Sequence, residues 1–411
     1  MTWSKPAVLA ALACALVLPS AAAGRVYLPP KHKVYLGVTG GDRVSPVVGA
    51  TGRAPAAFQF FVAWDRSIDW TLARTRHARA RLMLHLSTYR GPGTSEMITP
   101  RQIALGHGDD FILSLGRQIV FDYDNKPVYL RLMAEMNGHW NPYAYYNANG
   151  SPRDRAHSPL WYRQAFRRVT LILRGGHVRT LNHRLRRLKL PAVRHLPTVG
   201  QRPVRKIPHA NVAMLWVPQT MGSPNIPSNM PGRFYPGDRY VDWVGTDFYS
   251  KYPMFSFLEP FYRRWAAGHH KPFVFGEWAM WGADDPRFVQ RFIGWVRSHP
   301  RVRMISYNQG SEPSSPFRLS RFPRASHALR KLLKPSTFTG RVPEYPRGSA
   351  RPAAVHRRRS RPGDRRRTHL SSTVGPRLVG APPWWRASLL APVPSSGSSL
   401  LGRWPVLPAA A

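Results

Sequence analysis

Read for its apolar and polar positions, the chain shows eight short apolar runs separated by stretches with helical spacing. The runs fall at residues 34–38, 57–64, 81–86, 128–133, 211–217, 240–249, 272–277 and 304–308. Most are near-continuous rather than alternating, which is how a strand buried on both faces reads. Between the second and third runs, residues 68–79 place Ile68, Leu72 and Ala73 on one face with charge opposite. Thr99 and Pro100 suit an N-cap and a first helical position. They open a long helical segment whose apolar face is Ile103, Phe111, Ile112, Leu115 and Ile119. Further helical stretches lie at 159–173, 258–267, 288–297 and 325–333. Strand alternating with helix over about eight strands predicts an α/β chain folded as a (β/α)8 TIM barrel. An open doubly wound sheet is the alternative, but no Gly-rich phosphate turn follows the first run.

Three segments depart from this pattern. Residues 1–23 have Lys5, an apolar run at 7–18 and a small-residue end at Ala21, Ala22 and Ala23, as a secretory signal does. Residues 175–210 are basic, punctuated by Pro and weakly periodic; they read as a loop insertion with a short helix around 181–188. From residue 335 onward Pro, Arg, Ser and Gly dominate, which predicts a disordered C-terminal tail over 335–411. The barrel is thus expected over 24–334. No role is assigned to Trp384 and Trp385.

Chemistry concentrates where apolar runs end. One run delivers Glu135, another Glu277, and each is followed by an aromatic-rich loop. Barrel enzymes place their active sites at the C-terminal ends of the strands, and glycosidic bonds are usually cut by paired carboxyl groups, about 5–5.5 Å apart in retaining enzymes. Met133, Met136 and Trp140 surround Glu135 and would desolvate it, raising its pKa as a proton donor requires. Glu277 is then the nucleophile, with Tyr249 as a donor that keeps it ionised. Asp247 faces the same side of its strand as Tyr249 by the two-residue period and joins the site. Asn137 either bonds a sugar hydroxyl or closes its loop. Trp278 and Trp281 are stacking candidates, Trp281 the more so because it lies further into the loop. His85 reads as a hydrogen-bonded barrel histidine, since no second ligand stands at metal spacing.

The motifs resemble glycoside hydrolase family 26, the β-mannanase family within the large clan of (β/α)8 retaining glycosidases. The resemblance rests on Arg131, Glu135, Met136, Asn137, Gly138, Trp140, Pro142 and Tyr143, on Asn211, Trp216 and Pro218, and on Tyr235, Pro236, Gly237 and Asp238 running on to Asp247 and Tyr249, followed by 272–277. It implies double displacement with Glu135 as acid/base and Glu277 as nucleophile. It also implies support of the nucleophile by Asp247 and Tyr249, sugar platforms at Trp140 and Trp216, and no metal or organic cofactor. One departure is Ala134, where the family's mannanases carry His. The expected activity is hydrolysis of a β-linked polysaccharide, β-1,4-mannan first. A mixed-linkage β-glucanase, a xylanase, or a catalytically weak polysaccharide-binding protein are the alternatives.

Composition adjusts this picture in three ways. The single cysteine, Cys14, lies within the signal, so disulfides and cysteine-bound metal are excluded from the mature chain. No run beyond the signal is long and apolar enough to span a bilayer, so a secreted monomer is expected. A net charge of +41, densest at 179–205 and 347–367, predicts adhesion to anionic cell-envelope polymers. No recognisable nucleic-acid module accompanies it, so specific nucleic-acid binding is not expected. Asn149, Gly150 and Ser151 form a glycosylation sequon.

Overall fold

The apolar runs become eight parallel strands: β1 Val34–Thr39, β2 Ala57–Ala63, β3 Arg81–Ser87, β4 Val128–Leu132, β5 Val212–Trp216, β6 Trp243–Tyr249, β7 Phe273–Ala279 and β8 Val302–Asn308. Each pairs with its sequence neighbours, and β1 also pairs with β8, Tyr35 opposite Met304 and Thr39 opposite Asn308. That last pairing closes the sheet into a (β/α)8 barrel. The computed structural model describes residues 26–346 apart from 92, 200 and 313. The signal segment, Cys14, the 347–367 arginines and Trp384–Trp385 lie outside the described residues.

Helices α1 Ser45–Thr51, α2 Asp69–Ala78, α3 Pro100–Ala104, α4 Asp109–Arg117, α5 Pro159–Arg174, α6 Val178–Arg187, α7 Phe255–Tyr262, α8 Pro286–Ser298 and α9 Pro323–Leu332 connect the strands. Only 3-10 turns, Pro227–Asn229 and Pro231–Phe234, stand between β5 and β6. The long helix expected from Thr99 is broken in two. Its start is as read, with Thr99 and Gln102 forming a reciprocal capping box. The chain then turns at Gly106, with φ of 87°, beside the buried Arg168–Asp109 ion pair. A side chain at Gly106 would strike the Arg168 guanidinium. Burying that pair decides the break, and apolar spacing carries no trace of it.

Two cores result. The outer one lies between strands and helices; the inner one fills the barrel with Tyr35, Ala57, Met83, Tyr129, Ala213, Leu215, Trp243, Val274 and Met304. Below this layer the barrel is plugged by both ends of the described chain. Buried Arg81 pairs with Glu344 at 2.9 Å and donates to the Tyr27 carbonyl at 2.6 Å. Trp243 donates to the Val26 carbonyl, and Phe338–Thr339 pairs with the start of β1. Residues 335–346, expected as the beginning of the tail, are therefore a packed part of the barrel base.

The insertion is more ordered than its composition suggests. Helix α6 buries Leu181 and Leu185, while Gly176–His177 pairs with Lys206–Ile207 and Thr198–Val199 with Arg202–Pro203. No helix among the described residues is long and apolar enough to cross a membrane.

Candidate active site

The upper barrel layer is polar because inward positions of otherwise apolar strands carry Gln59, His85, Arg131, Asp247, Glu277 and Asn308. Two of the strands are irregular where it matters. The β6–β7 register shifts between Thr246 and Phe248, and the β7–β8 register between Phe275 and Trp278. Such irregularities re-aim side chains near functional sites, and these bracket Asp247 and Glu277. Glu277 lies inside β7, two residues before the strand's end at Ala279, rather than terminating it.

Arg131, wholly buried, is the hub. Its Nη1 donates to Glu277 Oε1 at 2.7 Å and to Gln59 Oε1 at 2.8 Å, and its Nη2 to Asp247 Oδ2 at 2.5 Å. Only glycine at 276 leaves room for this, since a Cβ there would stand 2.7 Å from the guanidinium carbon. Asp247 Oδ1 accepts the Glu277 backbone N–H at 2.8 Å. The other Glu277 oxygen, Oε2, accepts from Tyr249 Oη at 2.7 Å and from Asn308 Nδ2 at 2.8 Å. Burial opposes ionisation of Glu277, but Arg131, His85 and Tyr249 outweigh it and hold the pKa down to about 2. His85 places Nδ1 3.8 Å from Glu277, and burial lowers its pKa.

Glu135 sits in the loop after β4. Both Met133 and Glu135 have left-handed backbones, with φ of 47° and 54°. Non-glycine residues hold that conformation at a cost of about 1–3 kcal/mol each and do so chiefly at functional sites. The Glu135 N–H is fixed to the Val217 carbonyl at the end of β5. Its carboxyl accepts from Trp140 Nε1 at 2.9 Å and from the Gln219 side-chain amide. Burial and the Glu277 charge push its pKa up, against the Trp140 hydrogen bond. Burial with Glu277 and Glu135 nearby also pushes Asp247 up, despite Arg131. One guanidinium thus faces three carboxyls. The surroundings hold Glu277 down and push Glu135 and Asp247 up.

The remaining expected contacts divide. Trp140 is 42% exposed, with its ring folded over Gly138. Trp281 is half-buried beside Tyr249, and the Lys251 ammonium lies 4.7 Å from its ring centre. Trp216 is not a platform. It is fully buried outside the barrel wall, against Tyr235, Phe261 and Trp265. Its strand neighbour Leu215 points inward instead, so the two-residue period sends Trp216 to the helices. Asn137 does not reach a sugar either. It is buried, and both ends of its amide are committed to the Gln219 backbone. It holds the loop that brings the Gln219 side chain onto Glu135. Trp278 stacks on Phe292 in the outer core.

Sequence reasoning missed Gln59, Asn308 and Gln219 as site residues. A signal existed for the first: Gln59 is the lone polar residue of β2, whereas Asn308 ends a strand that also carries Arg303 and Ser306. Gln219 lies in an irregular loop, and nothing in the sequence marks it. Among the described residues no group of three or more His, Cys, Asp or Glu side chains is arranged to hold a metal ion.

No protein-family model and no curated protein sequence matches the chain. Solved structures are similar to it. The Bacillus subtilis mannanase man26 is 16% identical, with a TM-score of 0.47, over 80% of this chain and 93% of that one. The GH26 β-mannanase BoMan26A from Bacteroides ovatus is 14% identical, with a TM-score of 0.47, over 75% and 90%. An endo-β-1,4-mannanase double mutant from Cellulomonas fimi is 15% identical, with a TM-score of 0.48, over 77% and 75%.

Proposed function

We propose that the chain is a retaining endo-glycosidase that cleaves a β-linked polysaccharide, with β-1,4-mannan the first candidate. The observation that carries this reading is the split between two carboxyls in one polar layer. Glu277 is held ionised by Arg131, Tyr249 and Asn308, while Glu135 is pushed toward its protonated form. Environments that drive two carboxyls apart assign one as base or nucleophile and the other as acid. In this mechanism the Glu277 carboxylate attacks the anomeric carbon as the bond to the leaving oxygen breaks. Glu135 gives its proton to that oxygen. Water, deprotonated by Glu135, then attacks the glycosyl–Glu277 ester and restores both groups. Asp247 and Tyr249 orient the nucleophile, and Trp140 and Trp281 border the path of the sugar chain. On the strength of residues 1–23, which resemble a secretory signal, the enzyme acts outside the cell.

The test is reducing-sugar release from β-mannans, β-glucans and xylans by the wild type and by Glu135→Ala. Release from one polymer, reduced about 10²–10⁴-fold by the substitution, supports the reading and names the substrate. Binding of glycan without release from any polymer would replace it with a polysaccharide-binding role. Ala134, where the family's mannanases carry His, is the residue that would mark such a change.

The same split fixes the pH profile. Activity falls on the acid side as Glu277 protonates near 2, and on the alkaline side as Glu135 ionises above the ordinary glutamate value. Trp140→Phe removes the hydrogen bond that favours the Glu135 carboxylate, so the alkaline limb of kcat/KM moves to higher pH while the acid limb stays. An unmoved alkaline limb would detach Trp140 from the acid.

A further inference from the structure

The insertion carries a charge pattern that the barrel reaction does not explain. Residues 175–210 contain nine Lys and Arg and no Asp or Glu, and no carboxylate occurs anywhere from 155 to 237. All nine side chains are exposed, and none has an ion pair or hydrogen bond among the described residues. Elsewhere carboxylates are spent on cations, as in Asp109–Arg168, Asp242–Arg174, Glu259–Arg263 and Glu344–Arg81.

This charge sits on a fixed surface. At about 100° per residue, the buried Leu181 and Leu185 of α6 leave Arg179, His183, Arg186 and Arg187 on the opposite, outward stripe. Arg184, Arg186 and Arg187 suit the negative end of the helix dipole, but Arg179 stands in the first turn, at the positive end, where the helix has no acidic residue. Like charges three and four residues apart repel as well. Helix stability alone would select against this arrangement, and an anionic partner would relieve it.

Topology places the surface. The insertion joins the end of α5 to the start of β5, at the N-terminal ends of the strands. Its return strand is anchored by Asn125, which precedes β4 and bonds His209 and Asn211. Active sites occupy the other end of such barrels. Bases of single-stranded nucleic acid are held chiefly on stacking aromatics, and 175–210 has no Phe, Tyr or Trp. Asn182, the one amide side chain of α6, accepts from the Val193 N–H instead of facing outward.

We infer that the insertion is a docking surface for a polyuronate, a polysaccharide whose sugars carry carboxylates, held at the end of the barrel opposite the catalytic mouth. Arginine forks pair bidentately with carboxylates. The choice of a glycan over other polyanions rests on the reaction proposed for the mouth; the surface itself does not.

The test is arginine footprinting of the full chain with phenylglyoxal, read by mass spectrometry, at about 0.1 M salt with polygalacturonate, poly(glycerol phosphate) or duplex DNA. Polygalacturonate should slow modification of Arg179, Arg186 and Arg187 about tenfold, and more than the other two polymers do. R179Q/R186Q/R187Q should weaken polygalacturonate binding about tenfold, and R179K/R186K/R187K, which keeps the charge but not the fork, should recover only part of it. Both variants should keep the wild-type circular dichroism and hydrolysis rate. Absent protection, protection confined to arginines outside 175–210, or stronger protection by DNA or the phosphodiester polymer would each overturn the inference. None of these outcomes depends on whether any polymer is hydrolysed.

Discussion

Under the proposed mechanism, Glu277→Ala is expected to lower polysaccharide hydrolysis by at least about 10⁴-fold and to leave the fold standing. The loss is large because the substitution removes the atom that forms the covalent bond, and no neighbour can replace it. Asp247 is engaged by Arg131 and by the backbone of residue 277, and Tyr249 is too weakly acidic, its pKa pushed well up by burial and by Glu277. The fold survives because Arg131 keeps Asp247 and Gln59 as partners. A small anion such as azide can enter the vacated space, and it should restore part of the activity on a substrate with an activated leaving group. The product of that rescue should have inverted configuration. Hydrolysis within tenfold of wild type would remove Glu277 from the mechanism.

Arg131→Met is the substitution expected to cost most in stability. It leaves Glu277 and Asp247 buried without their cation, and breaking a buried pair in this way typically costs about 3–5 kcal/mol. Denaturant unfolding reads that loss directly. The acid limb of kcat/KM should rise at the same time, because Arg131 is what overrides burial at Glu277. Arg131→Lys should recover little of either effect, since one ammonium cannot span Gln59, Glu277 and Asp247 as the planar fork does. A stability change below about 1 kcal/mol, the scale of an exposed ion pair, would mean the cluster is far wetter than its burial implies.

The barrel was legible because parallel strands covered on both faces appear as near-unbroken apolar runs, and eight of them alternate with helical spacing. The two candidate carboxyls, Glu135 and Glu277, stood out in the sequence because a carboxylate in or just after such a run has few structural reasons to be there. What stayed hidden depends on contacts distant in the chain. Gln219 reaches Glu135 only because Asn137 pins its backbone. The break after α3 serves an ion pair made with α5. Residues 335–346 look like tail by composition, yet Glu344 is the partner that Arg81 requires. The Trp216 expectation failed for a local reason: the strand's own two-residue period already turned it away from the barrel axis.

The plugged base sets an order of events. β1 has no outer neighbour until β8 arrives from 269 residues further on, Tyr35 waiting for Met304. The Arg81 cation has no counter-ion until residue 344 has been made. Contacts of such separation are formed late and at high entropic cost. A nascent chain ending before β8 therefore holds an unpaired edge on β1, and one ending before Glu344 holds a buried Arg81 without its carboxylate. Closure therefore waits for β8 and its base is completed only by residues 338–344, so a premature stop a few residues short of Glu344 should destabilise a barrel whose strands are all present.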